Sequence, residues 1–226
     1  AVRDLIAALG GFPAGRTLLP LMIGLLIGGM GAWTVWRRES RTPNVVAESG
    51  ITRTFQNIRL FQQMTALDNV LVGMDTRLKT RFWHDALRLP FYWRERRESA
   101  AKAAQILEFA GLKDHALDVA SALSYGHQRR LEIARALASS PSLILLDEPA
   151  AGMNPSETAQ LMELIRRIRE SGVTVLLIEH DMRVVMNISD RIVVLDYGVK
   201  IAEGGPEEIK KNPKVIEAYL GSEDVG

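Results

Sequence analysis

Cysteine is absent from this 226-residue chain. That rules out disulfides and thiolate metal sites, and it suits a reducing compartment. An excess of either charge is absent too, with 28 basic residues against 27 acidic ones. The basic footprint of a nucleic-acid-binding surface is therefore missing, and no nucleic-acid partner is expected. The pattern G-x-x-x-x-G-K-[ST] occurs nowhere, so no phosphate-cradling loop of that form can be read. Internal repeats and low-complexity tracts are missing as well. What is present is 47% hydrophobic residues, enough for one sizeable core with a small subdomain.

That hydrophobicity is unevenly spread. LLPLMIGLLIGGMGAWTVW, residues 18–36, runs nineteen residues without a charge, and Arg37 and Arg38 follow at once. A membrane helix needs about 20 apolar residues. Trp33 and Trp36 fall where an interfacial aromatic belt would lie, and the arginines suit a cytoplasmic flank. Gly24 and Gly28 form a G-x-x-x-G pair, which lets helices approach closely. The expectation is an atypical N-terminal segment, residues 1–40, with a transmembrane helix over 18–36 that anchors the chain at the cytoplasmic face of the membrane. A buried helix of a soluble core is the other reading; four glycines and Pro20 speak against it.

Residues 41–226 read as a second region. Its part over about 62–140 is helical: MTALDNVLVGM opens one apolar-periodic segment, and RERRESAAKAAQILEFAGL is another, with Gly111 as its C-cap. Arg94, Arg96 and Arg97 read as a solvated helix face. A sheet core over about 141–204 follows, then a helical tail over 205–226. The core holds three apolar runs, SLILLD, VTVLLIEH and RIVVLDYG. Between the first two, Asn154 can cap a helix, Pro155 takes its first position and Glu157 completes a capping-box pattern. Leu161, Leu164, Ile165 and Ile168 form the apolar stripe of that helix. Strongly apolar strands joined by such a helix predict an α/β fold with a parallel sheet covered on both faces.

Ligands of such sheets bind beyond the carboxyl ends of the strands. Asp147 and Glu148 end one strand; Glu179 and His180 end the next. A carboxylate at Asp147 suits Mg²⁺, a hard cation served by oxygen ligands. Glu148, one residue on, points elsewhere and suits orienting or deprotonating a water. His180 suits a hydrogen bond to a terminal phosphate. Upstream, LSYGHQRRLEIARAL places Ser124 as the N-cap of a helix whose apolar face holds Leu131, Ile133, Ala134 and Leu137. The hydroxyl and free amides of that helix start, with Gly126 in the first turn, make an anion site. An ordinary capped helix without a ligand is the plainer alternative.

Taken together, LSYGHQRR, LILLDEP and LLIEHD resemble the signature, Walker B and switch-histidine motifs of ABC transporter ATPases. TFQNIRLF, residues 54–61, resembles their Q-loop. The finer pattern of RTFQNIRLF, YGHQRRLEIARAL, DEPAAGMNP, IEHDM and NPKVIEAYLG is similar to the ATP-binding subunits of branched-chain amino acid importers, over about residues 41–226. The resemblance implies an ABC-type nucleotide-binding domain with a parallel sheet core and a helical subdomain, using ATP and Mg²⁺. It implies a head-to-tail dimer with a second ATP-binding subunit, permease subunits in the membrane, and a periplasmic or surface substrate-binding protein. Asp147 would be the metal carboxylate and Glu148 the catalytic base. Gln56 would contact Mg²⁺ and the attacking water, and His180 the γ-phosphate. Ser124, Gly126, His127 and Asn154 would meet nucleotide held by the opposite subunit. Asn154 stands where many relatives carry an aspartate, while Tyr125 and His127 replace a glycine and the glutamine of LSGGQ.

The front end departs from that family. The usual N-terminal β-subdomain is not recognisable. GGFPAGRT, Gly10 to Thr17, fits the phosphate-loop spacing with Arg16 in place of lysine. A planar guanidinium is a poor substitute for a compact ammonium. No buried strand precedes the stretch, as a phosphate loop requires. Two functions follow. One is an ATP-binding subunit that energises uptake of branched-chain amino acids, weak in ATP binding and slow in hydrolysis when alone. The other is a hydrolysis-incompetent, membrane-anchored partner that supplies its signature motif to a complete ATPase subunit.

Overall fold

The computed structural model describes residues 24–33, 49–74 and 90–220. The chain divides into two units, Ala1–Ser49 and Gly50–Gly226. In the first, residues 24–33 are helical and every one of them is exposed. Among the described residues no helix is long and apolar enough to cross a membrane. The transmembrane helix expected over 18–36 is therefore not borne out where it is described. Its other residues, and the near-match at Gly10–Thr17, lie outside the described residues.

The second unit carries a three-stranded parallel sheet of β1 (Ile51–Arg53), β2 (Leu143–Asp147) and β3 (Thr174–Ile178), in that order. Helices α1 (Ala66–Gly73), α2 (Pro90–Phe109) and α3 (Tyr125–Ala138) separate β1 from β2, and α4 (Pro155–Glu170) joins β2 to β3. Local chemistry sets the helix ends. Thr65 caps α1 by accepting from the Asp68 amide, and Ser124 caps α3 by accepting from His127. Asn154 and Glu157 form the reciprocal capping box of α4, with Pro155 at its start, as the sequence predicts. Gly111 ends α2 with φ +70°, a conformation cheap only for glycine.

The main core gathers Leu107, Leu131, Ile133, Ile144, Leu146 and the α4 stripe of Leu161, Leu164, Ile165 and Ile168. Burying such side chains is worth about 1.5–3 kcal/mol each. The expectation that both faces of the sheet are covered holds in part at β2. One face there is fully covered, with Ile144 and Leu146 buried, while Leu143 and Leu145 on the other face are half-buried. The expectation fails at β3. Val175 and Leu177 pack on the main core, but Leu176 and Ile178 on the opposite face are each 50% exposed.

After α5 (Met182–Ile188), β4 (Ile192–Asp196) pairs antiparallel with β5 (Val199–Gly204) instead of extending the parallel sheet. The reason is the connection. Tyr197 and Gly198 both adopt positive φ, +45° and +79°, and a two-residue loop of that kind turns a strand back on itself. This hairpin packs with α6 (Pro206–Lys210) and α7 (Pro213–Val215) around a smaller core of Ile192, Val194, Ala202, Ile209 and Val215.

Candidate functional site

The end of β2 separates its two carboxylates. Asp147 continues the strand, and its Oδ2 accepts from Arg53 Nη2 at 2.8 Å. The next residue turns left-handed: Glu148 has φ +44°, which costs an L-residue roughly 1–2 kcal/mol. Its amide still reaches Ile178 O at 2.9 Å, so the turn is held against β3. The Glu148 side chain is thereby aimed at two other segments. Gln56 Nε2 donates to Glu148 Oε2 at 3.0 Å, and His180 Nδ1 lies 3.6 Å from Glu148 Oε1. Four of the predicted positions, Gln56, Asp147, Glu148 and His180, come together in this way.

Glu179, one residue before His180, has another task. Its side chain is 1% exposed, and it accepts from Ala150 N at 3.0 Å and His180 N at 3.2 Å. It thus ties the loop after Glu148 to the end of β3. Asp181 caps α5, and the hydrogen bond from Arg183 holds its carboxyl below the usual carboxylate range.

The remaining predicted positions form a second cluster at the start of α3. Ser124 is exposed, and its Oγ accepts from the His127 amide at 3.3 Å. The first amides of any helix lack intrahelical partners, so this end keeps donors for an anion. Gly126 is buried; a Cβ there would lie 2.7 Å from Glu157 Oε1. Glu157 also accepts from Asn154 N at 3.1 Å, which places Asn154 in the same cluster. Tyr125 stands against the loop after Glu148, with its ring 3.6 Å from where a Gly152 Cβ would be. The His127 ring lies 4.5 Å from that of His115. Burial, then the nearby Arg130 and His115, push its pKa below the ordinary value.

Arg129 joins the two clusters, and it was not among the residues the sequence singled out. Its guanidinium is fully buried. It donates to Phe55 O at 2.8 Å, Gln56 O at 2.7 Å and Glu132 Oε2 at 2.9 Å. Its Nε has no hydrogen-bond partner among the described residues, an omission that typically costs roughly 1–3 kcal/mol. Charge alone would have sent an arginine to the surface, so no signal in the sequence marked this one. Arg53, half-exposed, was missed because its partner Asp147 lies 94 residues away on the neighbouring strand.

The donor set suits a hard divalent cation. Asp147 and the Gln56 amide supply oxygens, and the Arg53 guanidinium is already a cation resting on Asp147. Groups that would grip the β- and γ-phosphates are not found among the described residues.

A family model described as ABC transporter matches residues 4–151, and one described as branched-chain amino acid ATP-binding cassette transporter matches residues 199–225. The first match begins well before the region whose motifs carry the resemblance. The high-affinity branched-chain amino acid transport ATP-binding protein LivG of Salmonella typhimurium is 45% identical over 223 residues, covering 97% of this chain and 88% of that one. BraF of Pseudomonas aeruginosa, of the same description, is 51% identical over 177 residues, 78% of this chain and 69% of its own. The solved ADP conformation of MJ1267, an ATP-binding cassette of an ABC transporter, superposes with a TM-score of 0.65 at 31% identity. It covers 80% of this chain and 72% of the other.

Proposed function

This chain belongs to the ABC transporter family, and on that premise we propose that it is the ATP-binding subunit of an importer for branched-chain amino acids. The relatives named for that transport supply the substrate class. The observation that carries the catalytic reading is the meeting of Gln56 and His180 on the two oxygens of Glu148, at 3.0 and 3.6 Å.

Glu148 is placed to take a proton from a water attacking the γ-phosphate of ATP. The Gln56 amide fixes one carboxylate oxygen and can orient that water. His180, 71% exposed in its side chain, is free to turn toward the γ-phosphate. Asp147 with the Gln56 amide oxygen would hold Mg²⁺, which when bound offsets the negative charge of the phosphates. Ser124, Gly126, His127 and Asn154 form the surface offered to nucleotide on a second ATP-binding subunit. The permease subunits hold the chain at the membrane, and a substrate-binding protein delivers the amino acid to them.

The test is reconstitution of the chain with its permease and substrate-binding protein in vesicles. Mg-ATP should drive uptake of a branched-chain amino acid. Glu148→Gln should lower hydrolysis by about 10²–10⁴-fold and leave ATP binding in place. Undiminished hydrolysis and uptake in that variant would sink the reading.

A further inference from the structure

Residues 55–60 run without regular structure between β1 and the loop before α1. The segment is tied at both ends. Thr54 N donates to Leu145 O at 2.9 Å, and the buried Asn69 side chain both accepts from Phe61 N and donates to Phe61 O. Between these ties, residues 55–60 make no backbone–backbone hydrogen bond among the described residues. Three contacts from α3 stand in for them. Arg129 donates to Phe55 O and Gln56 O at 2.8 and 2.7 Å, and Glu132 Oε1 accepts from Arg59 N at 3.3 Å. The Arg129 and Glu132 side chains are 0% and 2% exposed and bond each other at 2.9 Å.

A guanidinium is a rigid planar fork, so binding two successive carbonyls fixes their direction as well as their distance. Stability alone does not account for the arrangement, because buried ion pairs are often replaced by apolar residues at no loss. Water can serve the part-buried backbone groups of the segment, but it cannot hold them in register.

We propose that the buried Arg129–Glu132 pair is a positioning device of the site. It sets where Gln56 meets Glu148, and it ties that placement to the helix whose first turn carries Ser124. The inference rests on the ATPase reading of the carboxylate cluster. Arg129 acts through the Gln56 backbone, so it is a positioning residue and not a catalytic one.

The test uses the full chain assembled with its permease, in three variants: Arg129→Lys, the double variant Arg129→Met/Glu132→Leu, and Glu148→Gln. Lysine keeps the charge but cannot fork to two carbonyls. The first two should lower kcat for ATP hydrolysis about tenfold to a hundredfold, the scale of a misplaced catalytic group, with KM for ATP within about twofold. The double variant should keep an unfolding midpoint within a few degrees of the parent, since the two buried charges leave together and only the partly buried Arg135 loses a neighbouring carboxylate. Hydrogen exchange supplies a readout that needs no turnover. The Arg59 amide should exchange at least about tenfold faster in the double variant, while the α3 amides from Leu131 to Leu137 stay protected.

Parent-like kcat in the folded double variant overturns the proposal, and so does unchanged exchange at Arg59. If the double variant does not fold, Arg129→Lys decides by kcat and by the same exchange measurement. Parent hydrolysis that survives Glu148→Gln overturns the ATPase reading instead, and the exchange result still tells whether the pair holds the segment.

Discussion

Arg53 and Asp147 form an ion pair across neighbouring strands, the guanidinium donating to Oδ2 at 2.8 Å. Arg53 is level with Leu145 in the β1–β2 ladder, and Asp147 lies two residues further along the same face. The cation therefore rests on the carboxylate expected to hold the metal, and the two compete. Half of the Arg53 side chain is exposed, so the pair is worth about 0.2–1 kcal/mol. Arg53→Ala should lower the Mg²⁺ concentration for half-maximal hydrolysis, by up to about fivefold. A Mg²⁺ titration of the ATPase checks this; an unchanged or higher requirement contradicts it.

Gly126 and Glu157 bring the signature helix and the capping box of α4 together. Gly126→Ala would set a methyl 2.7 Å from Glu157 Oε1, pushing that carboxylate off the Asn154 amide. Loss of the cap should cost about 1 kcal/mol. With Glu157→Ala already in place the clash disappears, and Gly126→Ala should be neutral or slightly stabilising through helix propensity. Denaturant unfolding of the four proteins of this double-mutant cycle measures the coupling. Equal costs in both backgrounds would mean that the close approach is not what requires glycine.

His127 gives the fold a pH dependence whose sign can be worked out. Its imidazole is less basic in the fold than the ordinary value of 6.5, through burial first and then Arg130 and His115, with Glu157 opposing. Between the lowered value and 6.5 the unfolded chain binds more protons, so stability rises with pH across that window. The contribution is complete above the unfolded value and is lost as pH falls from there through the folded one. Unfolding midpoints of the parent, measured over about pH 5–8, should drop on acidification more steeply than those of His127→Gln. Parallel curves would show that His127 is not the group responsible.

Much of the site was readable in the sequence because it rests on local rules. The apolar run before Asp147 forces a strand, and the end of that strand fixes where both carboxylates emerge. Ser124 and Asn154 cap their helices as their residue types require. The stripe of Leu161, Leu164, Ile165 and Ile168 is buried in full. What escaped depends on contacts between distant segments. The burial of Arg129 is decided by carbonyls at residues 55 and 56, which no spacing rule connects to α3. The partner of β4 was hidden because Tyr-Gly is a weaker turn signal than Asn-Gly. Of the membrane span read from composition over 18–36, only residues 24–33 are described; they are helical and exposed, and no described helix is long and apolar enough to cross a membrane.

With Glu148 as the base proposed above, its left-handed backbone sets selection for activity against selection for stability at a single position. Asparagine or glycine would sit there with about 1 kcal/mol less strain, but neither could take a proton from water. A chain freed from hydrolysing ATP would become more stable by losing this glutamate, so drift at position 148 has a preferred direction. Lineages that no longer transport should be recognisable by Asn or Gly after the aspartate. A stability screen run without an activity filter would select those same residues and discard the proposed base.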